Sequence, residues 1–171
     1  ETNGERLLVA FDNEPDDIGP PYHLHPFQEE EYEVLQGELT LKLDGRETVL
    51  RAGERIVVPP GTPHCFWNAS RERVRFTSEH RPALGWERFI TTLYDLDYDG
   101  KANGKGLPRP LQMLTTLGAR GGEEYLVGPP RFAQRILAFV GSLIGRVMGV
   151  SPWYASERRR REVGLTSREG G

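Results

Sequence analysis

Four residues in the first part of the sequence have the types and spacing of a metal site, namely His23, His25, Glu30 and His64. His23 and His25 are two residues apart, so both imidazoles point to the same face if this segment is a β-strand. Imidazole is the commonest metal ligand among side chains, and a His-x-His pair can offer two nitrogens to one ion. The spacing therefore predicts a metal-binding histidine pair on a strand.

Glu30 does not follow from strand periodicity alone. It lies five residues beyond His25 and would face the opposite side of an unbroken strand. Pro26 has no N–H to offer a sheet, which argues against an unbroken central strand here. A bend at residues 26–28 can return Glu30 to the face that carries the histidines.

The elements that must position these side chains are short strands separated by turns. Leu39, Leu41 and Leu43 alternate with polar residues, and Asp44-Gly45 is a strong two-residue hairpin signal. Further strands are predicted at residues 7–11, 48–51, 55–58, 65–68 and 74–78. Many short strands at this spacing predict a sandwich or a small barrel.

The pattern becomes helical after His80. Apolar spacing predicts helices over residues 84–96 and 107–117, and a third that begins at Pro129-Pro130 and continues to about residue 148. We therefore divide the chain into a β-barrel over residues 1–80, a helical extension over 81–150 and a polar basic tail over 151–171. The extension is expected to pack on the barrel or on a partner subunit.

Composition excludes several classes of protein. The 171 residues include one cysteine, so no intrachain disulfide can form. The mean hydropathy of −0.55 and the lack of an apolar run of about 18 residues argue against a membrane span. No secretory signal pattern opens the sequence, and we expect a cytoplasmic protein. The net charge of −3 hides an acidic first part and a basic last part.

Two spaced motifs contain the candidate ligands. The first is His23-x-His25, four residues, Glu30, six residues, Gly37; the second is Gly53, five residues, Pro59-x-Gly61, two residues, His64, three residues, Asn68. Together, over roughly residues 5–80, they resemble the motifs of the cupin superfamily. One position departs from the pattern, because the leading glycine of the first motif would stand at Asp17, with Gly19 displaced towards the histidines.

The resemblance implies a mainly β fold, a jelly-roll-like double-sheet antiparallel β-barrel, here followed by the helical extension. It also implies one divalent transition metal (Fe, Mn, Ni, Co, Cu or Zn), with His23, His25, Glu30 and His64 as its ligands. Glu30 is in addition a candidate base. Candidate pocket residues are Tyr32, Phe66 and His80. The alternative is ordinary barrel packing for Tyr32 and Phe66, and a hydrogen-bonded structural histidine for His80.

The function predicted from these features is metal-dependent chemistry on, or recognition of, a small organic molecule inside the barrel. If the protein is an enzyme, an oxygenase-type reaction is expected ahead of isomerisation or decarboxylation. The alternative is a non-enzymatic protein that binds or senses a small molecule, since the superfamily hosts both.

Partner predictions are broader. An exposed barrel edge favours a homodimer. No nucleic-acid-binding module accompanies the basic run Arg158–Arg161, so nucleic acid is not expected as a partner. A third alternative is a membrane-surface accessory protein, since the third predicted helix combines Gly141, Gly145 and Gly149 with nearby arginines.

Overall fold

A computed structural model describes residues 4–103 and 106–162 of the chain. The strands in this part are β1 (Leu7–Asn13), β2 (His23–Leu24), β3 (Glu29–Gln36), β4 (Glu38–Leu43), β5 (Arg46–Arg51), β6 (Arg55–Val58), β7 (His64–Trp67), β8 (Val74–Arg81) and β9 (Tyr125–Leu126). The helices are α1 (Trp86–Tyr98), α2 (Pro110–Ala119), α3 (Arg131–Val147) and α4 (Glu157–Glu162).

The strands form two antiparallel sheets that belong to the first of two compact units. One sheet has the order β1-β8-β3-β6 and the other the order β5-β4-β7-β2-β9. The first unit contains the described residues up to Leu84 together with Glu123–Arg131, and the second contains Gly85–Gly122 and the described residues from Phe132 onwards. The prediction of a mainly β double-sheet fold followed by helices is confirmed.

The core of the first unit follows from alternation along its strands. Inward-facing residues of both sheets are buried, and they are Tyr32, Val34, Leu39, Leu41, Leu50, Val58, Phe66, Val74 and Phe76. The Asp44-Gly45 hairpin forms as predicted, because both residues have positive φ and Leu43 pairs with Arg46 across the turn. Burial of apolar residues from both sheets is what holds the two layers together.

The bend predicted at Pro26 takes the chain from one sheet to the other. β2 pairs with β7 and β9, whereas β3 pairs with β6 and β8. Gln28, at the crossing, is buried and donates hydrogen bonds to the carbonyls of Pro82 and Ala83. Glu30 therefore reaches the histidines by facing them from the opposite sheet, which strand parity alone could not indicate.

The second unit is helical. In it α3 packs through small residues, because a Cβ at Gly141 would lie 2.5 Å from the Leu114 side chain and one at Gly145 would lie 2.2 Å from that of Thr115. In α4 the arginine run is partly structural, since Arg159 makes a 2.7 Å ion pair with Asp95. Residues 163–171 of the predicted tail lie outside the described residues.

Candidate metal centre

All four histidines of the sequence, together with Glu30, meet in the interior of the first unit. His23 and His25 come from β2 and its C-terminal end, and His64 comes from the neighbouring β7, where it pairs directly with His23. Glu30 on β3 and His80 on β8 pair directly in the other sheet. All five side chains are buried. The centre is thus built from both sheets.

Three of the histidines are oriented by backbone carbonyls. Nδ1 of His23 bonds to the Pro21 carbonyl at 2.8 Å, and Nδ1 of His64 bonds to the Thr62 carbonyl at 2.9 Å. Nδ1 of His25 lies 3.3 Å from the carbonyl of Glu123. Since a carbonyl only accepts, each Nδ1 carries the proton in these bonds. Such bonds fix the ring orientation and leave Nε2 for a metal.

The Nε2 atoms converge. Those of His23 and His25 are 3.2 Å apart, and that of His64 is 2.9 Å from Oε2 of Glu30. A neutral imidazole carries one proton, and in His23 and His25 it is on Nδ1. Two nitrogen lone pairs therefore face each other inside the protein, an unfavourable arrangement that a cation between them would stabilise.

The two oxygens of the Glu30 carboxylate have different neighbours. Oε2 faces His64 and also lies 3.7 Å from Nε2 of His25. Oε1 accepts a 2.6 Å hydrogen bond from the Ser78 hydroxyl and lies 3.3 Å from Nε2 of His80. One oxygen thus points to the histidines of the opposite sheet and the other to β8.

Protonation states follow from this environment. Burial lowers the pKa of His25 to about 3 and also lowers that of His23, so both imidazoles are neutral at pH 7. Burial would raise the pKa of Glu30, but the surrounding histidines, led by His80, lower it below its usual range. Burial would lower the pKa of His64, yet the hydrogen bond that His64 donates to Glu30, the charge of that carboxylate and the bond to the Thr62 carbonyl together outweigh burial and raise it. Neutral imidazoles and an ionised carboxylate are the forms that bind metals.

The donor set fits a divalent transition metal. The described residues contain two groups whose ligand atoms all lie within 4.8 Å of one another, His23 with His25 and His64, and His25 with Glu30 and His80. Both groups are buried and share His25. Imidazole nitrogens with a carboxylate oxygen suit Zn, Fe, Cu, Ni or Mn rather than Ca or Mg. The structure thus brings together all four predicted ligands.

The three predicted pocket residues lie in different surroundings. Phe66 packs in an aromatic cluster with Phe11, Tyr32 and Phe76, which matches the packing alternative. Burial and the nearby Glu30 carboxylate raise the pKa of Tyr32 well above its usual value, so the phenol stays protonated. His80 is fully buried beside the Glu30 carboxylate.

Two contributions to the centre were not predicted. Ser78 contacts Glu30, and its position two residues before His80 on the same face of a strand was a usable signal. β9 pairs with β2, at His23 with Leu126, and the chain just before β9 supplies the Glu123 carbonyl. The short apolar run between Gly122 and Gly128 was the signal for this strand, but nothing local indicates its partner.

The fold and centre together define a double-sheet β-barrel protein with a buried histidine–carboxylate cluster. A family model for the cupin domain matches residues 11–78, which contain the end of β1, all of β2 to β7, most of β8 and all the centre's side chains except His80. Residues 11–78 of the chain thus match a cupin domain. The predicted resemblance is confirmed.

Relatives share parts of the chain at low identity. "Oxidoreductase iacF" of Pestalotiopsis fici is 31% identical over 103 residues, which are 56% of this chain and 50% of that protein. "Epoxidase atD" of Aspergillus terreus is 28% identical over 162 residues, 87% of this chain and 49% of that protein. The chain thus spans about half the length of these curated relatives.

Among solved structures, a double-stranded β-helix protein from Klebsiella pneumoniae is 26% identical and matches with a TM-score of 0.44. The match covers 47% of this chain and 70% of that one.

None of the helices in the described residues has both the length and the apolar character that a membrane-spanning helix needs.

Proposed function

We propose that His23, His25, Glu30 and His64 hold one divalent transition metal ion, and that the protein uses it in oxygen-dependent oxidation of a small organic molecule. The observation that carries the metal site is the 3.2 Å approach of two unprotonated nitrogens, Nε2 of His23 and Nε2 of His25. In both histidines the proton is on Nδ1, which donates to a backbone carbonyl, so the two Nε2 atoms are available as ligands. A cation between them would relieve the repulsion of their lone pairs.

The chain's own residues have separate roles in this proposal. Three imidazoles and one carboxylate would hold the metal, and a metal bound there would supply Lewis-acid and redox chemistry. Carbonyls of Pro21, Thr62 and Glu123 orient the imidazoles. Ionised Glu30 can accept a proton from a substrate, and the protonated Tyr32 phenol beside it is a neutral neighbour that adds no competing negative charge.

The oxidative reading draws support from relatives. Two of them are named as an oxidoreductase and an epoxidase, and the second aligns with 87% of this chain. Oxidation is also consistent with the donor set, since mixed imidazole and carboxylate ligation with open positions suits iron and other redox metals. Because the chain spans about half of each relative, substrate and reaction are proposals for this protein.

Metal analysis tests the site. Wild-type protein purified without added metal should contain about one transition-metal ion per chain, and His23→Ala and His64→Ala should retain far less, because each loses a ligand. Cys65→Ala is the matched control, since Cys65 is next to His64 but only half-buried and outside the cluster. Substoichiometric metal in wild type and control alike would contradict the proposal.

Oxygen consumption separates the two main functions. With metal-loaded wild type and a panel of small organic substrates, the oxidative proposal predicts substrate-dependent oxygen uptake that is lost in His64→Ala. The alternative, a non-enzymatic binding or sensing protein, predicts ligand-dependent stabilisation of the metal-loaded protein with no oxygen uptake and no conversion of the ligand.

A second candidate function, attachment to an anionic membrane surface, is favoured by the exposed face of α3. Its packed side contains Gly141 and Gly145, while its opposite side exposes large apolar residues, with Phe132, Phe139 and Val147 at 69%, 70% and 82%. The helix contains arginines at 131, 135 and 146 and no acidic residue. An apolar helix face edged by arginines is typical of helices that lie in the plane of an anionic membrane surface.

Vesicle flotation tests this candidate. The full chain should float with vesicles rich in phosphatidylserine and much less with phosphatidylcholine vesicles. Phe139→Ser combined with Leu143→Ser should abolish flotation, whereas Leu8→Ser, at an exposed apolar residue of β1, should leave it intact. If all variants float to the same extent with both vesicle types, the membrane candidate is contradicted. It is also contradicted if the exposed apolar face of α3 is covered in a dimer.

A further inference from the structure

We propose that Ser78 and His80 are positioning residues for Glu30, holding its Oε1 atom so that Oε2 alone is presented to the metal. The inference rests on the proposed metal site and adds two residues to it that stand at no position of the two sequence motifs. Ser78 and His80 lie on β8, facing the same way, and both are buried.

The hydrogen-bond directions follow from donor chemistry. An ionised carboxylate only accepts, so in the 2.6 Å contact the Ser78 hydroxyl donates its proton to Oε1 of Glu30. Having given its one proton, Ser78 Oγ must accept in its 2.9 Å contact with Nε2 of His80. His80 therefore carries a proton on Nε2, and a chain of donors runs from His80 through Ser78 to Glu30.

This series of hydrogen bonds distinguishes His80 from the other three histidines. His23, His25 and His64 bond to carbonyls through Nδ1 and direct Nε2 to the centre. His80 instead directs a protonated Nε2 towards Ser78 Oγ and Glu30 Oε1. Nε2 of His64 also donates in the metal-free protein, to Oε2 of Glu30, and a bound metal would replace that proton. The Nε2 proton of His80 is instead directed at Ser78 Oγ, so this nitrogen has no lone pair for a metal, and His80 supports the ligand Glu30 without being a ligand itself.

The register of the sheet makes the support rigid. Glu30 pairs directly with His80, and Tyr32 pairs directly with Ser78, between β3 and β8. The Glu30 carboxylate is consequently held from the neighbouring strand of its own sheet, while Oε2 faces His64 and His25 of the other sheet. Hydrogen bonds of this kind to ligating carboxylates commonly change metal affinity by about 10- to 100-fold when removed.

Cobalt(II) binding to the metal-free full chain tests the inference. Ser78→Ala and His80→Leu remove the donors and should weaken Co²⁺ binding by about 10- to 100-fold. His80→Gln keeps an N–H near the position of Nε2 and should restore affinity to within a few-fold of wild type. Val74→Ala is the matched control, because Val74 is buried on the same face of β8 as a member of the apolar core, and it should bind Co²⁺ as wild type does.

The Co²⁺ absorption spectrum supplies a readout that a general loss of packing would not move. If the roles are as proposed, the ligand-field bands of saturated His80→Gln match those of wild type, since the ligand set is unchanged. A His80→Gln spectrum with a different coordination number would make His80 a ligand and overturn the positioning role. Wild-type affinity in both Ser78→Ala and His80→Leu would overturn it as well.

Failure of the inference and failure of the metal site give different results. If the metal site itself is wrong, wild type does not bind Co²⁺ at all; if only the inference is wrong, wild type binds and the β8 variants bind equally. Should His80→Leu fail to fold, Ser78→Ala against Ser78→Thr decides, because threonine keeps the hydroxyl. Equal affinity of that pair would overturn the inference.

Discussion

Single residues in the centre have pKa values that differ from those they have in water. The pKa of His25 is lowered to about 3, and the pKa of Glu30 lies below its usual range. These pKa values result from burial and from the histidine–carboxylate contacts, and they prepare the cluster for a cation. They also affect the metal-free protein, because unfolding returns each group to its ordinary pKa.

Stability of the metal-free protein should therefore fall as the pH is lowered from about 6.5. Between pH 6.5 and 3 the unfolded chain protonates His25 while the folded chain does not, so the unfolded state binds more protons and gains stability with acid. His23 acts in the same direction, and Glu30 adds to it below its unfolded pKa of 4.5. The raised pKa of His64 opposes this trend.

Thermal unfolding of metal-free protein at several pH values between 7 and about 4.5 measures the balance. We expect a falling midpoint with acid in wild type and a shallower fall in His25→Asn, which cannot titrate. A midpoint that stays level or rises in wild type would show that the histidines are not buried in the neutral form.

Individual elements were predictable from the sequence to different extents. Period-two alternation and turn residues indicated most of the barrel strands, and the Asp44-Gly45 hairpin formed where expected. The candidate ligands could be selected because both motifs preserve their spacing. Local periodicity could not indicate that the chain changes sheets after Pro26, nor that β9 returns to pair with β2 just over a hundred residues later. These are tertiary facts, since they depend on which surfaces remain open once the sheets pack.

Gly19 takes the place of the leading glycine of the first motif, two residues later than the motif predicts. The motif's leading glycine is Asp17 here, yet Gly19 has φ +60° and a Cβ on it would lie 1.8 Å from the Phe66 carbonyl oxygen. The segment before β2 thus approaches the backbone of β7 closely. Glycine is required at this approach both for its conformation and for the missing side chain.

Gly19→Ala should therefore destabilise the protein by more than Gly53→Ala does. Both residues have positive φ, but a Cβ on Gly53 would meet nothing within 4 Å. Conformational strain alone should cost about 1 kcal/mol in each variant, and the steric contact should add about 1–3 kcal/mol in Gly19→Ala only. Urea unfolding of both variants gives the comparison; equal losses would mean that the approach to Phe66 relaxes without cost.

At the scale of the whole molecule, charge follows the two compact units. Among the described residues, the first unit contains 10 Lys/Arg and 17 Asp/Glu, and the second contains 10 and 6. The acidic first part foreseen in the sequence thus largely coincides with the unit that contains the candidate metal centre. The homodimer expected from an exposed sheet edge stays a prediction. Light scattering on the full chain during size-exclusion chromatography should give twice the chain mass of 19.3 kDa.

The central claim is that buried residues from both sheets form one metal site. Crystals of metal-loaded protein, measured at the absorption edge of the metal found by elemental analysis, test it most directly. We predict one anomalous peak inside the barrel, about 2.1 Å from Nε2 of His23, His25 and His64 and from a Glu30 carboxylate oxygen. No peak at that position, or a peak held only by exposed carboxylates, would contradict the account.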